Sequence, residues 1–259
     1  MPDSELSLPA LLPANDNAFV TVAREAKCRI DRLLSAMPDG HPQDGIIIRF
    51  DAEAFDPSLY QRFGIIRPDA IARSVVKRQA EFFYGRLAAR LALAGQDMNH
   101  VNLPVGRSRE PVWPAGWTGS ISHTTGIAGA IVAPTGSSRC KGIGLDLERI
   151  AGVEAISAIL QNALSPEEAR LLTDAFTGNI EAGITIGFSA KESLYKASFA
   201  EVGAFFDFDS ARIVSVEKNL GIIELVTTRP LAERIPEGMR WLLRHNSLID
   251  GVVATHASW

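Results

Sequence analysis

Cysteine is nearly absent: Cys28 and Cys140 are the only two in 259 residues. That excludes a disulfide-framed small domain and a cysteine-rich zinc module. Long apolar runs are missing as well. No stretch approaches the roughly 20 residues that cross a bilayer, so no membrane span is expected. Residues 1–18 contain no Lys or Arg. They lack the charged start of a secretory signal, and the expected address is cytoplasmic. A basic excess is also missing, with 26 Lys and Arg against 30 Asp and Glu and a net charge of −4. The chain as a whole is therefore not a nucleic-acid binder. What remains, 46% apolar and 22% charged residues, is the balance of a soluble globular protein. The length suits one large domain or two small ones.

The first 18 residues hold three prolines and no clear period, and they read as a flexible tail. Val22, Ala26, Ile30, Leu33 and Leu34 have helical spacing, which predicts a helix over 20–36 before the turn cluster Met37-Pro38-Asp39-Gly40. Ile46-Ile47-Ile48 suits a buried strand. A long helix is predicted over 68–94, interrupted by Gly85, and a Pro- and Gly-rich connector follows over 103–116. Strands are expected over 117–122, 126–133 and 142–147. Ser165-Pro166-Glu167-Glu168 is a helix start, with a capping serine, proline in the first turn and acids at the positive helix end. A second helix is expected over 180–199, then strands over 211–216, 221–227, 239–245 and 252–256. Each half thus carries helices and a small sheet, with a boundary near 149–154. The expected division is a tail (1–18), an N-terminal half (19–149) and a C-terminal half (150–259).

Four features carry possible chemistry. In Gly142-Ile143-Gly144-Leu145-Asp146-Leu147-Glu148 the two acids stand two apart, on one face of a strand. Two carboxylates there stay ionised cheaply only beside a cation, and an oxygen-only donor set favours Mg²⁺ or Mn²⁺. The bland alternative is a polar strand face in solvent. In Phe188-Ser189-Ala190-Lys191-Glu192-Ser193-Leu194-Tyr195-Lys196 Glu192 and Lys196 are helical neighbours, which alone is also the pattern of an ordinary surface ion pair. Gly119-Ser120-Ile121-Ser122-His123-Thr124 offers hydroxyls and an imidazole near a strand end. That arrangement suits a phosphate, or merely a capping serine beside an exposed histidine. Between Arg67 and Glu110, finally, eight basic residues (Arg67, Arg73, Lys77, Arg78, Arg86, Arg90, Arg107 and Arg109) face four acids. Such a local bias attracts phosphates or an acidic protein.

In this order, these segments resemble the 4′-phosphopantetheinyl transferases, nearest to the enterobactin-synthase type and related to the surfactin type. The carrying residues are Phe82 to Arg90, Pro111-Val112-Trp113-Pro114, Gly119 to His123, Gly142 to Glu148 and Phe188 to Lys196. The resemblance covers about residues 65–200. It implies an α+β fold of two similar α/β halves related by pseudo-twofold symmetry, with coenzyme A in the cleft between them. The implied reaction moves 4′-phosphopantetheine from coenzyme A to a serine of an apo acyl, peptidyl or aryl carrier protein, and adenosine 3′,5′-bisphosphate is released. Asp146, Glu148 and Glu192 are implied to hold Mg²⁺, with Mn²⁺ as a substitute. Glu192 is the first choice of base, directly or through water, and Lys196 holds the pyrophosphate or steers the proton. Ser122 and His123 match the contact to the 3′-phosphate, Arg86 is a second phosphate contact, and Lys77, Arg78 and Arg109 are further candidates. Phe188 stands where surfactin-type relatives carry Trp, and Arg109-Glu110-Pro111 replaces their Gly-Lys-Pro. The type leans toward siderophore synthesis, and two halves in one chain make a monomer the expected state. Two other readings remain: a coenzyme A or nucleotide-binding regulatory protein without transfer activity, and a Mg²⁺-dependent phosphohydrolase.

Overall fold

The computed structural model describes residues 11–13, 17–36, 42–94, 101–135, 140–248 and 251–259. The turn cluster at 37–40 and most of the expected tail lie outside these residues. The described residues divide into two compact units, Leu11–Ser35 with Pro42–Lys141, and Gly142–Trp259. Both mix helix and sheet.

The N-terminal unit holds strand β1 (Leu11–Pro13), helix α1 (Asn17–Glu25), strands β2 (Cys28–Ala36) and β3 (Pro42–Phe50), the single turns α2 (Leu59–Arg62) and α3 (Asp69–Ala72), the long helix α4 (Val76–Ala94), and strands β4 (Trp117–Thr124) and β5 (Ile127–Pro134). The strands form one sheet in the order β1-β2-β3-β5-β4. Helix α4 packs on β3, β4 and β5. It buries Phe83, Tyr84, Leu87 and Leu93 against Ile46, Ile48 and Ala130. Phe50 and Tyr84 stack with centroids 4.2 Å apart. Each large apolar side chain so buried contributes roughly 1.5–3 kcal/mol.

The expected helix over 20–36 is corrected here. It stops at Glu25, and residues 28–36 form a strand. Lys27 sits at φ +50°, a left-handed turn that no helix continues. Beyond it, pairing with β1 and β3 outweighs helical spacing. The predicted helix over 68–94 also breaks, at Arg73–Val75. The strands expected over 117–122 and 126–133 are present as β4 and β5.

The C-terminal unit holds β6 (Ile143–Arg149), α5 (Val153–Asn162), α6 (Pro166–Ala175), α7 (Ile180–Val202), β7 (Ala211–Glu217), β8 (Ile222–Thr227), β9 (Arg240–Leu248) and β10 (Val252–Ser258). Its sheet runs β6-β10-β9-β8-β7, so β6 is a strand of this second sheet. Helix α5 has no counterpart among the sequence expectations. Helix α6 opens on a full capping box: the Ser165 side chain accepts from the Glu168 N–H, and the Glu168 side chain accepts from the Ser165 N–H. Helix α7 ends at Gly203, in the left-handed conformation that favours glycine. Gly142 and Gly144 let α7 lie directly on β6. A methyl on Gly144 would come 1.9 Å from the Ser193 carbonyl oxygen, and one on Gly142 equally close to that of Ala197.

Candidate active site

Two polar groups stand out, one in each unit. The first is built on β6 and α7. Strand alternation sends Ile143, Leu145 and Leu147, all buried, to one face and Gly144, Asp146 and Glu148 to the other. On α7, Ser189, Glu192, Ser193 and Lys196 follow the i, i+3, i+4, i+7 spacing of one helical stripe. Lys196 Nζ donates to Asp146 Oδ1 at 2.6 Å, and the Ser189 hydroxyl donates to Asp146 Oδ2 at 2.8 Å. Thr255, directly opposite Asp146 in the β10–β6 register, links the Ser189 and Ser193 hydroxyls at 2.8 and 2.7 Å. Asp146 is only 3% exposed, so this framework holds it rigidly.

Burial, and the adjacent Asp146 charge, push the Glu148 carboxyl up to about 7, while Lys196 pulls the other way. Burial raises Glu192 as well, against the opposing pull of Lys196. Two carboxyl groups raised by burial, Glu148 and Glu192, thus lie beside Asp146, and Lys196 supplies one positive charge. This all-oxygen donor set fits a hard divalent cation, which offsets such an excess of carboxylate. Among the described residues, no group of three or more His, Cys, Asp or Glu side chains is gathered as a ready metal site.

The motif's other lysine has a different task. Lys191 is 4% exposed. It pairs with Glu168 Oε1 at 2.8 Å and donates to the carbonyls of Ala163 and Phe208. Glu168 also accepts from the Ile213 N–H. This pair ties α6, α7 and the start of β7 together.

The second group lines a cavity of about 470 Å³ in the N-terminal unit. Arg78, Glu81, Phe82, Gly85 and Arg86 present one face of α4 to it, and Arg109, Ile121 and His123 complete the polar and apolar walls. Arg78 Nη1 lies 2.6 Å from His123 Nε2. Glu81 Oε2 lies 3.7 Å from both His123 Nδ1 and Arg78 Nη1. The Arg86 guanidinium stacks over Phe82, 4.9 Å from the ring centroid. Its Nε is buried without a protein hydrogen-bond partner. Burial pulls Arg86 down to about 10, which leaves it cationic at neutral pH. Arg109 adopts φ +70°, a conformation uncommon for a non-glycine residue and frequent at binding sites.

The structure therefore gathers Arg78, Arg86, Arg109 and His123 around one cavity. Ser122 is buried on the other face of β4 and is not among the lining residues. Lys77 is also outside the lining and donates to Thr125 Oγ1 at 3.1 Å. Arg67 stacks on Tyr60, and Arg90 binds the carbonyls of Phe63 and Gly64, so these two serve the fold. Glu110 packs beside Gly106 rather than lining the cavity. Sequence reasoning gave no role to Glu81, Ser189, Ser193 or Thr255. The helical spacing of the two serines to Lys196 was an available signal, whereas Thr255 had none.

No described helix is long and apolar enough to cross a membrane. Residues 67–133 match the 4′-phosphopantetheinyl transferase N-terminal domain family, and residues 142–238 match the 4′-phosphopantetheinyl transferase superfamily. Enterobactin synthase component D of Salmonella typhi is 32% identical over 210 residues, 80% of this chain and 85% of that protein. The same-named protein of Escherichia coli (strain K12) is 36% identical over 149 residues, 57% of this chain and 66% of that protein. 4′-Phosphopantetheinyl transferase PptT of Mycobacterium tuberculosis is 33% identical over 143 residues, 55% of this chain and 61% of that protein. The chain belongs to the 4′-phosphopantetheinyl transferase superfamily, enzymes that transfer the phosphopantetheine group of coenzyme A to carrier proteins.

Proposed function

We propose that the stripe on β6 and α7 is the transfer centre and the basic cavity the nucleotide site. The observation that carries this is the convergence of Asp146, Glu148, Glu192 and Lys196 across two elements. Asp146, Glu148 and Glu192 would hold Mg²⁺, and such an ion, when bound, neutralises charge on the pyrophosphate and its leaving group. Lys196, oriented by Asp146, binds pyrophosphate oxygen. Glu192, whose carboxyl burial raises, takes the proton of the carrier serine hydroxyl. The new bond joins that serine oxygen to the pantetheine phosphorus. The anhydride bond to adenosine 3′,5′-bisphosphate breaks, and the electron pair leaves with the nucleotide.

Arg78, Arg86, Arg109 and His123 would take the phosphate groups of the nucleotide, with Arg86 held flat by Phe82. The basic bias of this unit also suits an acidic carrier protein. The names of the enterobactin synthase relatives support a carrier in siderophore peptide synthesis, handled by a cytoplasmic monomer.

The test is the intact mass of a panel of apo carrier proteins incubated with the protein, coenzyme A and Mg²⁺. One added phosphopantetheine, lost with EDTA and in Glu192→Gln, is the expected result. Coenzyme A binding without transfer to any carrier would favour a regulatory binding protein. Coenzyme A cleavage without a carrier would favour a phosphohydrolase.

A further inference from the structure

The cavity of the N-terminal unit contains an acid where a phosphate site needs cations. Glu81 is mostly buried, its side chain 12% exposed, and stands within 4.0 Å of Lys77, Arg78 and His123. The contact with Arg78 orients the histidine's hydrogen bonding. A guanidinium has only donors, so His123 Nε2, 2.6 Å from Arg78 Nη1, is an acceptor. The ring proton then rests on Nδ1, on the side of Glu81. From α4, Arg78 and Glu81 stand against this ring, and Lys77 lies 4.0 Å from the other carboxylate oxygen of Glu81. Arg86 and Arg109 line the same cavity, and β5 sets Ala128 opposite His123.

A phosphate reverses the demand on Nε2. Its oxygens only accept, so an unprotonated Nε2 repels them and a protonated one binds them. We propose that Glu81 is a positioning residue for the phosphate of the nucleotide: anion binding draws a proton from solvent onto His123 Nε2, Arg78 turns its N–H from the ring to the anion, and the Glu81 carboxylate, 3.7 Å from Nδ1, balances the charge of the imidazolium. The inference rests on the assignment of this cavity to the nucleotide of coenzyme A. It adds that nucleotide binding takes up a proton, and that the acid inside a basic pocket makes the uptake favourable.

The experiment is calorimetric titration of the full chain with adenosine 3′,5′-bisphosphate at pH 7.5, in buffers of different ionisation enthalpy. At this pH the phosphate is mostly dianionic, since its second pKa is about 6. Adenosine 5′-phosphate serves as the control without a 3′-phosphate. The expected result is a heat that rises with buffer ionisation enthalpy for the bisphosphate, with a slope of about half a proton per site or more. His123→Gln, which donates without titrating, should bind without the slope. Glu81→Gln should at least halve it, and Glu81→Asp should restore part of it. Melting curves check that each variant is folded. No saturable heat from the bisphosphate would overturn the nucleotide assignment itself. Binding with zero slope, a slope that persists in His123→Gln, or a slope unchanged in Glu81→Gln would leave that assignment standing and overturn the role of Glu81.

Discussion

The two long helices solve similar packing problems and carry opposite chemistry. Each lies on a five-stranded sheet, and each presents one stripe of residues at i, i+3, i+4 and i+7 to its site. On α4 these positions are Arg78, Glu81, Phe82 and Gly85, with Arg86 next. On α7 they are Ser189, Glu192, Ser193 and Lys196. The stripe of α4 faces a cavity, and Arg86 beside it, though pulled down to about 10 by burial, stays cationic at neutral pH. The stripe of α7 is pressed onto β6, and burial raises Glu192 on the helix and Glu148 on the strand. Closeness makes the difference. Glycines on the strand remove the space between α7 and β6, and the loss of water perturbs the carboxylates. On the proposed assignment this contrast has a use: an anion-binding face tolerates solvent, whereas a base and a metal site gain from its exclusion.

The largest effect expected is on transfer. Glu192→Gln keeps size and hydrogen bonding but cannot accept a proton, so the turnover number should fall by about 10²–10⁴-fold. Nucleotide affinity should stay unchanged, because the cavity residues are untouched. Turnover at the wild-type rate would show that α7 does not supply the base and would collapse the contrast between the helices.

Stability gives the next effect. Glu168→Ala leaves Lys191 buried without its counter-ion and removes an acceptor from the Ile213 N–H. Breaking such a pair costs about 3–5 kcal/mol, to be read from urea unfolding. Gly144→Ala should cost less, about 1–3 kcal/mol. Its methyl meets the Ser193 carbonyl, so α7 must lift, and transfer should fall with stability.

How far the sequence revealed these features follows from distance along the chain. Asp146 and Glu148, and Glu192 and Lys196, are local pairs whose shared faces follow from strand and helix periods. The salt bridge from Lys196 to Asp146 spans 50 residues, and the Thr255 link depends on the β10 register; no local period shows either. Sheet pairing also overrode the helical spacing of Ile30 and Leu33. The cavity's basic residues were visible as a charge bias, but only the strand geometry turns His123 toward it and Ser122 away. Lys191 illustrates the limit of motif reading. It stands beside Glu192 in sequence and serves the core.

Acid stability separates the units further. His245 and His256 are pushed down to about 4, chiefly by burial, with Lys218 and Arg244 respectively adding to it. Both are therefore neutral at pH 7. In the unfolded chain they protonate near 6.5, so their share of stability is present above that pH and is lost as pH falls from 6.5 toward 4. The slope is up to about 1.4 kcal/mol per pH unit for each. Glu148 and Glu192, with raised folded values, act in the opposite sense. Their effect cancels when His245→Gln is compared with wild type at each pH. The variant should lose less stability than wild type on acidification, and equal losses would show that His245 is not held neutral.

The smallest effect belongs to Gly85→Ala, the α4 counterpart of Gly144→Ala. The methyl would stand 2.9 Å from Ile121 Cγ2, the end of a side chain, whereas at Gly144 it meets backbone. Ile121 is half-buried in the cavity wall and can turn aside. Alanine also regains roughly 0.5–1 kcal/mol of helix propensity lost to glycine. The two terms nearly offset, so stability should change by less than about 1 kcal/mol, while the displaced Ile121 narrows the cavity and weakens nucleotide binding. A loss as large as that of Gly144→Ala would mean that α4 is held as tightly to its sheet as α7, and that solvent access is not what separates the two stripes.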